Sequence, residues 1–172
     1  MIGYRGSGKT SVGQHVARRL GWDFADSDSI ITQATGNTIR DIFAMHGEEH
    51  FRLLETTAVL DLCKWTDAVI ALGGGAILRD ANQRAIAGSG FDVIYLHADP
   101  EALHQRIQAD PQTQAARPSL THLGGSVDEV RSVLEHRLPI YRRLATHEID
   151  VTHRSIKQVA DEIVEYLKKK HD

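Results

Sequence analysis

The chain is short of several things, and each shortage narrows its chemistry. Its 172 residues contain one cysteine, Cys63. A single thiol excludes an internal disulfide and suits a reducing compartment, and the apolar helical context of Cys63 suits a buried structural role. No apolar run approaches the roughly 20 residues that a membrane span needs, and no signal-peptide pattern occurs at the start. With 20 basic against 23 acidic side chains there is no excess of positive charge. No basic stripe or aromatic stacking platform is visible either, so a nucleic-acid partner is not expected. The one basic stretch, Tyr166 to His171, reads as the solvated end of a C-terminal helix. The length fits one compact domain over residues 1–172. The expectation is a cytoplasmic monomer without membrane or nucleic-acid partners.

What is present begins at once. The stretch "IGYRGSGKTSVG", Ile2 to Gly13, matches G-x-x-x-x-G-K-[ST] at Gly3, Gly8, Lys9 and Thr10. Glycines let the backbone curl so that N–H groups converge on an anion, and a helix starting near Lys9 adds its positive dipole end. Gly6, Ser7, Gly8, Lys9, Thr10 and Ser11 are thus candidates for nucleotide phosphates, and the Thr10 hydroxyl is a hard oxygen suited to Mg2+. Only Met1 and Ile2 precede Gly3. The strand that usually feeds such a loop is therefore very short, or the natural chain begins earlier, and a thinly covered central strand is expected to weaken the sheet.

Beyond the loop, Val12, Val16, Ala17 and Leu20 keep helical spacing up to Gly21. "WDFA" reads as a short strand, and residues 27–62 as a helical insert in pieces, with a start at Thr38 to Asp41, an interruption at Gly47 and a longer helix from Glu48. "DAVIALGGGA" and "FDVIYLHA" read as strands buried on both faces. Asp99 is expected to cap a helix that begins at Pro100. Residues 109–125 lose apolar periodicity and read as a long loop of the kind that forms lids. A helix over about Val127 to Arg143, a strand "EIDVT" and a last helix over about Ser155 to Lys169 complete the chain. Alternating strands and helices imply an α/β fold of three layers, α/β/α, around a central parallel sheet with ligands at the carboxyl ends of its strands.

The chemistry-bearing residues gather around that end. Asp26 and Asp28 follow a strand two residues apart, and an extended backbone would send both carboxylates into one cleft, one toward a metal shell and the other toward an acceptor hydroxyl. Helix capping accounts for one of them only. Arg52 and Arg137, each unremarkable as a surface residue, would together clamp a carboxylate if they shared a cleft. Arg117, on the lid candidate, suits charge stabilisation of a transferring phosphate. Gly73, Gly74 and Gly75 either make a tight turn or let a ligand approach the backbone closely. "HGEEH", His46 to His50, formally matches a zinc pattern, but Gly47 lies where a continuous helix is needed, so no zinc site is expected.

In their order, "GYRGSGKTSVG", "DSD", "TGNTIRDIFAMHGEEHFRLLE", "LGGGA", "ARPSL" and "RLPIYRRLA" resemble the shikimate kinase family, within the P-loop nucleoside monophosphate kinase-like group, over nearly the whole chain. The resemblance implies an ATP-dependent kinase of the aromatic amino-acid pathway that makes shikimate 3-phosphate, with ATP and shikimate as partners and Mg2+ as cofactor. It implies Lys9, Asp28 and Arg117 in catalysis, Asp28 accepting the proton of the attacking 3-hydroxyl. Thr10 and Asp26 would serve the metal, Asp26 through water. Arg52, Arg137 and the Gly73–Gly75 backbone would hold shikimate, while Arg106, Arg117 and Arg154 would meet the nucleotide. Many relatives carry a second basic residue after the position of Arg52, where this chain has Leu53. A kinase acting on another hydroxylated acid, such as gluconate, and a nucleotide-binding relative without catalysis are the alternatives. If residues 109–125 close over bound substrates, protease cutting within them slows when both substrates are present; equal cutting rates would argue against closure.

Overall fold

The computed structural model describes residues 1–110 and 125–171. Helix α1 (Lys9–Leu20) starts where the glycine-rich loop ends and stops at Gly21, whose N–H returns to the Ala17 carbonyl. Strand β1 (Asp23–Asp26) leads directly into α2 (Ser27–Thr35). Helix α3 (Ile39–Leu62) is capped by the Thr38 side chain, which accepts the Asp41 N–H, and is broken at Gly47 (φ 80°, ψ 171°). The break lies where the sequence predicts it. Strand β2 (Ala68–Ala71), a 3-10 turn (Ala76–Leu78) and α4 (Asp80–Gly88) follow. Strand β3 (Ile94–His97), α5 (Pro100–Ala109), α6 (Val127–Leu144), β4 (His147–Asp150) and α7 (Ile156–His171) complete the described chain.

β1 pairs in parallel with β2, Asp23 opposite Ala68, and β3 pairs in parallel with β4, Ile94 opposite His147. Met1 and Ile2 join the two pairs. The Ile2 N–H donates to the Ile94 carbonyl at 2.9 Å and the Leu96 N–H to the Ile2 carbonyl at 3.0 Å, while on the other side the Leu72 N–H donates to the Met1 carbonyl at 3.1 Å. The resulting order is β1, β2, Met1–Ile2, β3, β4, so two residues serve as the centre of the sheet and deliver the loop at Gly3.

Alternation along β3 builds the layers. Ile94 and Leu96 pack with Val12 and Val16 of α1 and Val159 and Ile163 of α7. Val93 and Tyr95 face the other way, toward Leu62 of α3, Ile86 of α4 and Tyr141 of α6. A smaller cluster, Ile31, Ile39, Ile42, Phe51 and Ala58, ties α2 to α3.

Two features depart from the sequence reading. Helix α4 is not foreseen, because its buried positions are only Asn82 and Ile86, too few for an apolar period; Asn82 docks it through a 2.8 Å bond from Nδ2 to the Ala76 carbonyl. Asp99 does not cap α5 with its side chain. Its backbone N–H instead donates to Thr152 Oγ1 at 3.1 Å, so Pro100 alone fits the first turn, where a missing N–H costs nothing.

The Met1 nitrogen is buried and donates to the Ile70 carbonyl at 2.6 Å, which fixes the short central strand against β2.

Candidate functional site

The loop after Ile2 curls through Gly6 (φ 81°) and Gly8 (φ 85°), conformations that strain any other residue. Lys9 is drawn back over it: Nζ donates to the carbonyls of Gly3 at 2.9 Å and Tyr4 at 2.8 Å, and lies 3.4 Å from Ser7 Oγ. Gly6, Gly8, Lys9, Thr10 and Ser11 line a cleft of about 970 Å3 at the carboxyl end of the sheet. Ser7 is buried beneath it.

Asp26 closes β1 and caps α2. Its Oδ1 accepts the N–H groups of Asp28 at 3.0 Å and Ser29 at 3.3 Å, and Thr10 Oγ1 donates to Oδ2 at 2.7 Å. The expectation that both aspartates share an extended segment is therefore corrected, since Asp28 lies in the first turn of α2. Both nevertheless face the cleft, because the cap turns the chain just where the strand ends. The Thr10 and Asp26 oxygens are hard ligands meeting on the cleft wall, and this pair fits Mg2+.

A second, narrow cavity of about 40 Å3 adjoins the cleft and is lined by Asp28, Arg52, Glu55, Gly73–Gly75 and Arg137, with Arg5 at its edge. Arg52 and Arg137 are only 9% and 8% exposed, which removes the surface reading for both. Arg52 Nη1 donates to Glu55 Oε2 at 2.7 Å, while Nε and Nη2 reach Glu48 Oε1 at 3.2 and 3.1 Å. Burial opposes the Arg52 charge, but Glu55 and Glu48 outweigh it and hold its pKa above the usual value. Burial likewise pushes the Glu55 carboxyl up, against the pull of Arg52. Arg137 Nη1 and Tyr141 Oη both donate to the Gly74 carbonyl, at 3.1 and 2.6 Å. Burial raises the Tyr141 pKa far above the ordinary phenol value, so the group stays a donor.

The glycine run is both a turn and a point of close approach. A Cβ on Gly73 would stand 2.7 Å from Asp28 Oδ1, and one on Gly75 would stand 2.5 Å from Arg52 Nη1.

Arg106 lines the nucleotide-sized cleft and is anchored by Nη2 to the carbonyls of Val151 at 2.6 Å and Thr152 at 3.0 Å. Arg154 turns instead to Glu162 Oε2 at 2.5 Å and the Gln158 carbonyl at 3.1 Å, and is not among the cleft-lining residues. Arg117 and residues 111–124 of the 109–125 lid segment lie outside the described residues, while Ala109 is the last residue of α5. The rings of His46 and His50 lie 4.8 Å apart across the Gly47 break, tilted by 46°, and among the described residues no cluster of three His, Cys, Asp or Glu is arranged for a metal. Sequence reasoning passed over Arg5, Glu55, Glu129 and Tyr141. Glu55 stands three residues after Arg52 and Tyr141 four after Arg137, the spacings at which helical side chains meet, so that signal was available.

A further cavity, about 580 Å3 and lined by Trp22, Cys63, Ile70, Ile94 and Leu167 among others, lies toward the amino ends of the strands. It is largely apolar and away from the convergent charges, at the end of a parallel sheet where ligands are not usually bound.

Known proteins resemble the chain in sequence and in fold. A family profile described as shikimate kinase matches residues 5–168. A shikimate kinase of Rhodopirellula baltica is 40% identical over 164 residues, covering 95% of this chain and 87% of the relative. A shikimate kinase 2 of Pectobacterium carotovorum is 42% identical over 153 residues, covering 88% and 86%. A solved shikimate kinase from Acinetobacter baumannii, in complex with shikimate, superposes with a TM-score of 0.89 at 34% identity, covering 98% of this chain and 91% of that one. A gluconokinase from Sinorhizobium meliloti reaches a TM-score of 0.53 at 16% identity, a likeness of fold alone.

The close approach at Gly75 is testable by unfolding. Its φ of −98° and ψ of −3° suit alanine, so Gly75→Ala isolates the steric effect. Displacing Arg52 from Glu55 should cost about 1–3 kcal/mol in urea unfolding. Gly88→Ala, whose Cβ meets nothing within 4 Å, should be neutral or mildly stabilising. Equal effects at the two positions would mean that Arg52 yields freely.

Proposed function

The chain belongs to the shikimate kinase family, and on that premise we propose how its residues divide the work. The protein is an ATP-dependent kinase that phosphorylates shikimate, giving shikimate 3-phosphate and ADP. One observation carries the assignment of roles: Asp28 is a carboxylate that lines both the nucleotide cleft and the narrow cavity beside it. An acceptor hydroxyl held in the narrow cavity would present its proton to Asp28 and its oxygen to the terminal phosphate in the cleft.

In this reading Gly6 to Ser11 cradle the ATP phosphates, and Lys9 exchanges loop carbonyls for phosphate oxygens. The cation that Thr10 and Asp26 would hold supplies charge neutralisation on the phosphates when it is bound. Arg52 and Arg137 pair with the shikimate carboxylate, and the Gly73–Gly75 backbone shapes the wall against its ring. Asp28 orients the hydroxyl and takes its proton as the oxygen–phosphorus bond forms and the bond to ADP breaks. Phosphoryl transfer asks little covalent work of a protein, so positioning and charge supply most of the rate. Arg106 suits the nucleotide side of the cleft. Arg117 and Arg154 belong to the same proposal as nucleotide contacts, as do a monomeric state, a cytoplasmic location and the division into an insert (27–62) and a lid (109–125). Among the described residues no helix is long and apolar enough to cross a membrane.

The test is ADP release with Mg2+ and ATP, comparing shikimate with gluconate and with no acceptor. Shikimate-dependent release is expected. For Asp28→Asn we expect turnover to fall by about 10²–10⁴-fold, the usual contribution of a general base, with ATP affinity kept. Normal turnover in that variant would remove Asp28 from the mechanism.

A further inference from the structure

Among the described residues three line both the nucleotide cleft and the acceptor cavity: Asp28, Ile39 and Arg5. A phosphoryl group moving between the two cavities passes the zone they share. Asp28 already has a role there, Ile39 is apolar, and Arg5 is the one cation of the three. Arg5 occupies an unspecified position of the loop motif, so the pattern that identifies the loop says nothing about it.

Its placement is built rather than incidental. The Arg5 side chain is 10% exposed, and its Nη2 donates to Glu129 Oε1 at 2.9 Å. Glu129 is fully buried at the start of α6. Its Oε2 accepts the Gly125 N–H at 3.2 Å and its own N–H donates to Ser126 Oγ at 3.3 Å, so the carboxylate is locked by a reciprocal helix cap. The Arg5 guanidinium lies 5.8 Å from the centre of the Tyr4 ring, and that of Arg137 lies 5.9 Å from the same centre. One ring thus backs the arginine assigned to the acceptor carboxylate and the arginine at the crossing point.

We propose that Arg5 is a further catalytic residue, which meets the equatorial oxygens of the phosphoryl group during transfer, with Glu129 as its positioning residue. The proposal rests on the kinase reading above. Charge in the transition state spreads over those oxygens, and a guanidinium already fixed in a dry site stabilises it without reorganising at the moment of reaction. A planar fork can hold a carboxylate and meet a second anion together. In ordinary structural terms the Arg5–Glu129 pair would merely tie the loop to α6, and the two roles differ in what they predict.

The experiment uses Arg5→Met, Arg5→Lys and Glu129→Gln beside the parent protein, with two readouts. The first is turnover. Arg5→Met should lower kcat by about a hundredfold, the scale of a lost charge-stabilising donor, while the dissociation constants of ATP and shikimate change by less than about threefold. Arg5→Lys keeps the charge without the fork and should still lose about tenfold; it also serves if the methionine variant fails to fold. Glu129→Gln retains an acceptor for the helix cap and should fall between parent and Arg5→Met in kcat. The second readout is affinity for ADP with aluminium fluoride, a planar mimic of the phosphoryl group, which should drop in both Arg5 variants while affinity for ADP alone stays unchanged. Parent-like kcat in Arg5→Lys and Arg5→Met, or equal loss of ADP and ADP–aluminium fluoride binding, would overturn the proposal and leave a structural pair. Absence of shikimate-dependent turnover in the parent would instead sink the kinase reading, while the aluminium fluoride comparison would still decide the role of Arg5.

Discussion

Three consecutive residues without side chains hold the site together. The Gly73 N–H donates to Ser27 Oγ of α2 at 2.9 Å, the Gly74 carbonyl receives Arg137 and Tyr141 of α6, and Gly75 lies against the Arg52 guanidinium of α3. Helices α2 and α3, neighbours in the chain, and the distant α6 thus meet on one short turn at the carboxyl end of β2. Gly73 and Gly74 are buried, so their polar groups need partners within the protein, and one of those partners, Arg137, also lines the narrow cavity. Stability and site geometry depend on the same contacts.

Every arginine that lines the acceptor cavity is restrained. Arg52 has Glu55 and Glu48, Arg5 has Glu129, and Arg137 has the Gly74 carbonyl. Buried ion pairs are poor sources of stability, because desolvation offsets much of their attraction. Their value here is positional. Side chains as flexible as arginine lose much of their freedom in advance, so binding an anion need not order them. Tyr141 adds to this, since burial keeps its hydroxyl protonated and directed at Gly74. The catalytic side follows the same pattern: Asp26 is shared between the α2 cap and Thr10, which fixes the oxygens suited to a cation before one arrives.

Much of this was legible in the residues. The loop motif, the strand-helix alternation, the start of α3 at Thr38 and its interruption at Gly47 all rest on signals a few residues long, and backbone geometry at that range is set by local sterics and capping. Asp28, Arg52 and Arg137 were recognised as types suited to the chemistry. Helix α4 escaped because an asparagine, not an apolar residue, docks it. The Asp99 side chain accepts no N–H of the first turn of α5, and its own N–H is held by Thr152, a hydroxyl 53 residues away that local sequence does not record.

The sequence by itself determined the phosphate loop, the layered α/β order and the family pattern, since each is written in neighbouring residues or in a fixed period. Only the tertiary structure decided which cations line the narrow cavity and what restrains them. Gly74 and Tyr141 are 67 residues apart, and Arg5 and Glu129 are 124 apart. No local propensity records such meetings. They follow from burying both faces of the sheet at once, which brings α3 and α6 to one side and leaves polar groups there with no solvent to satisfy them.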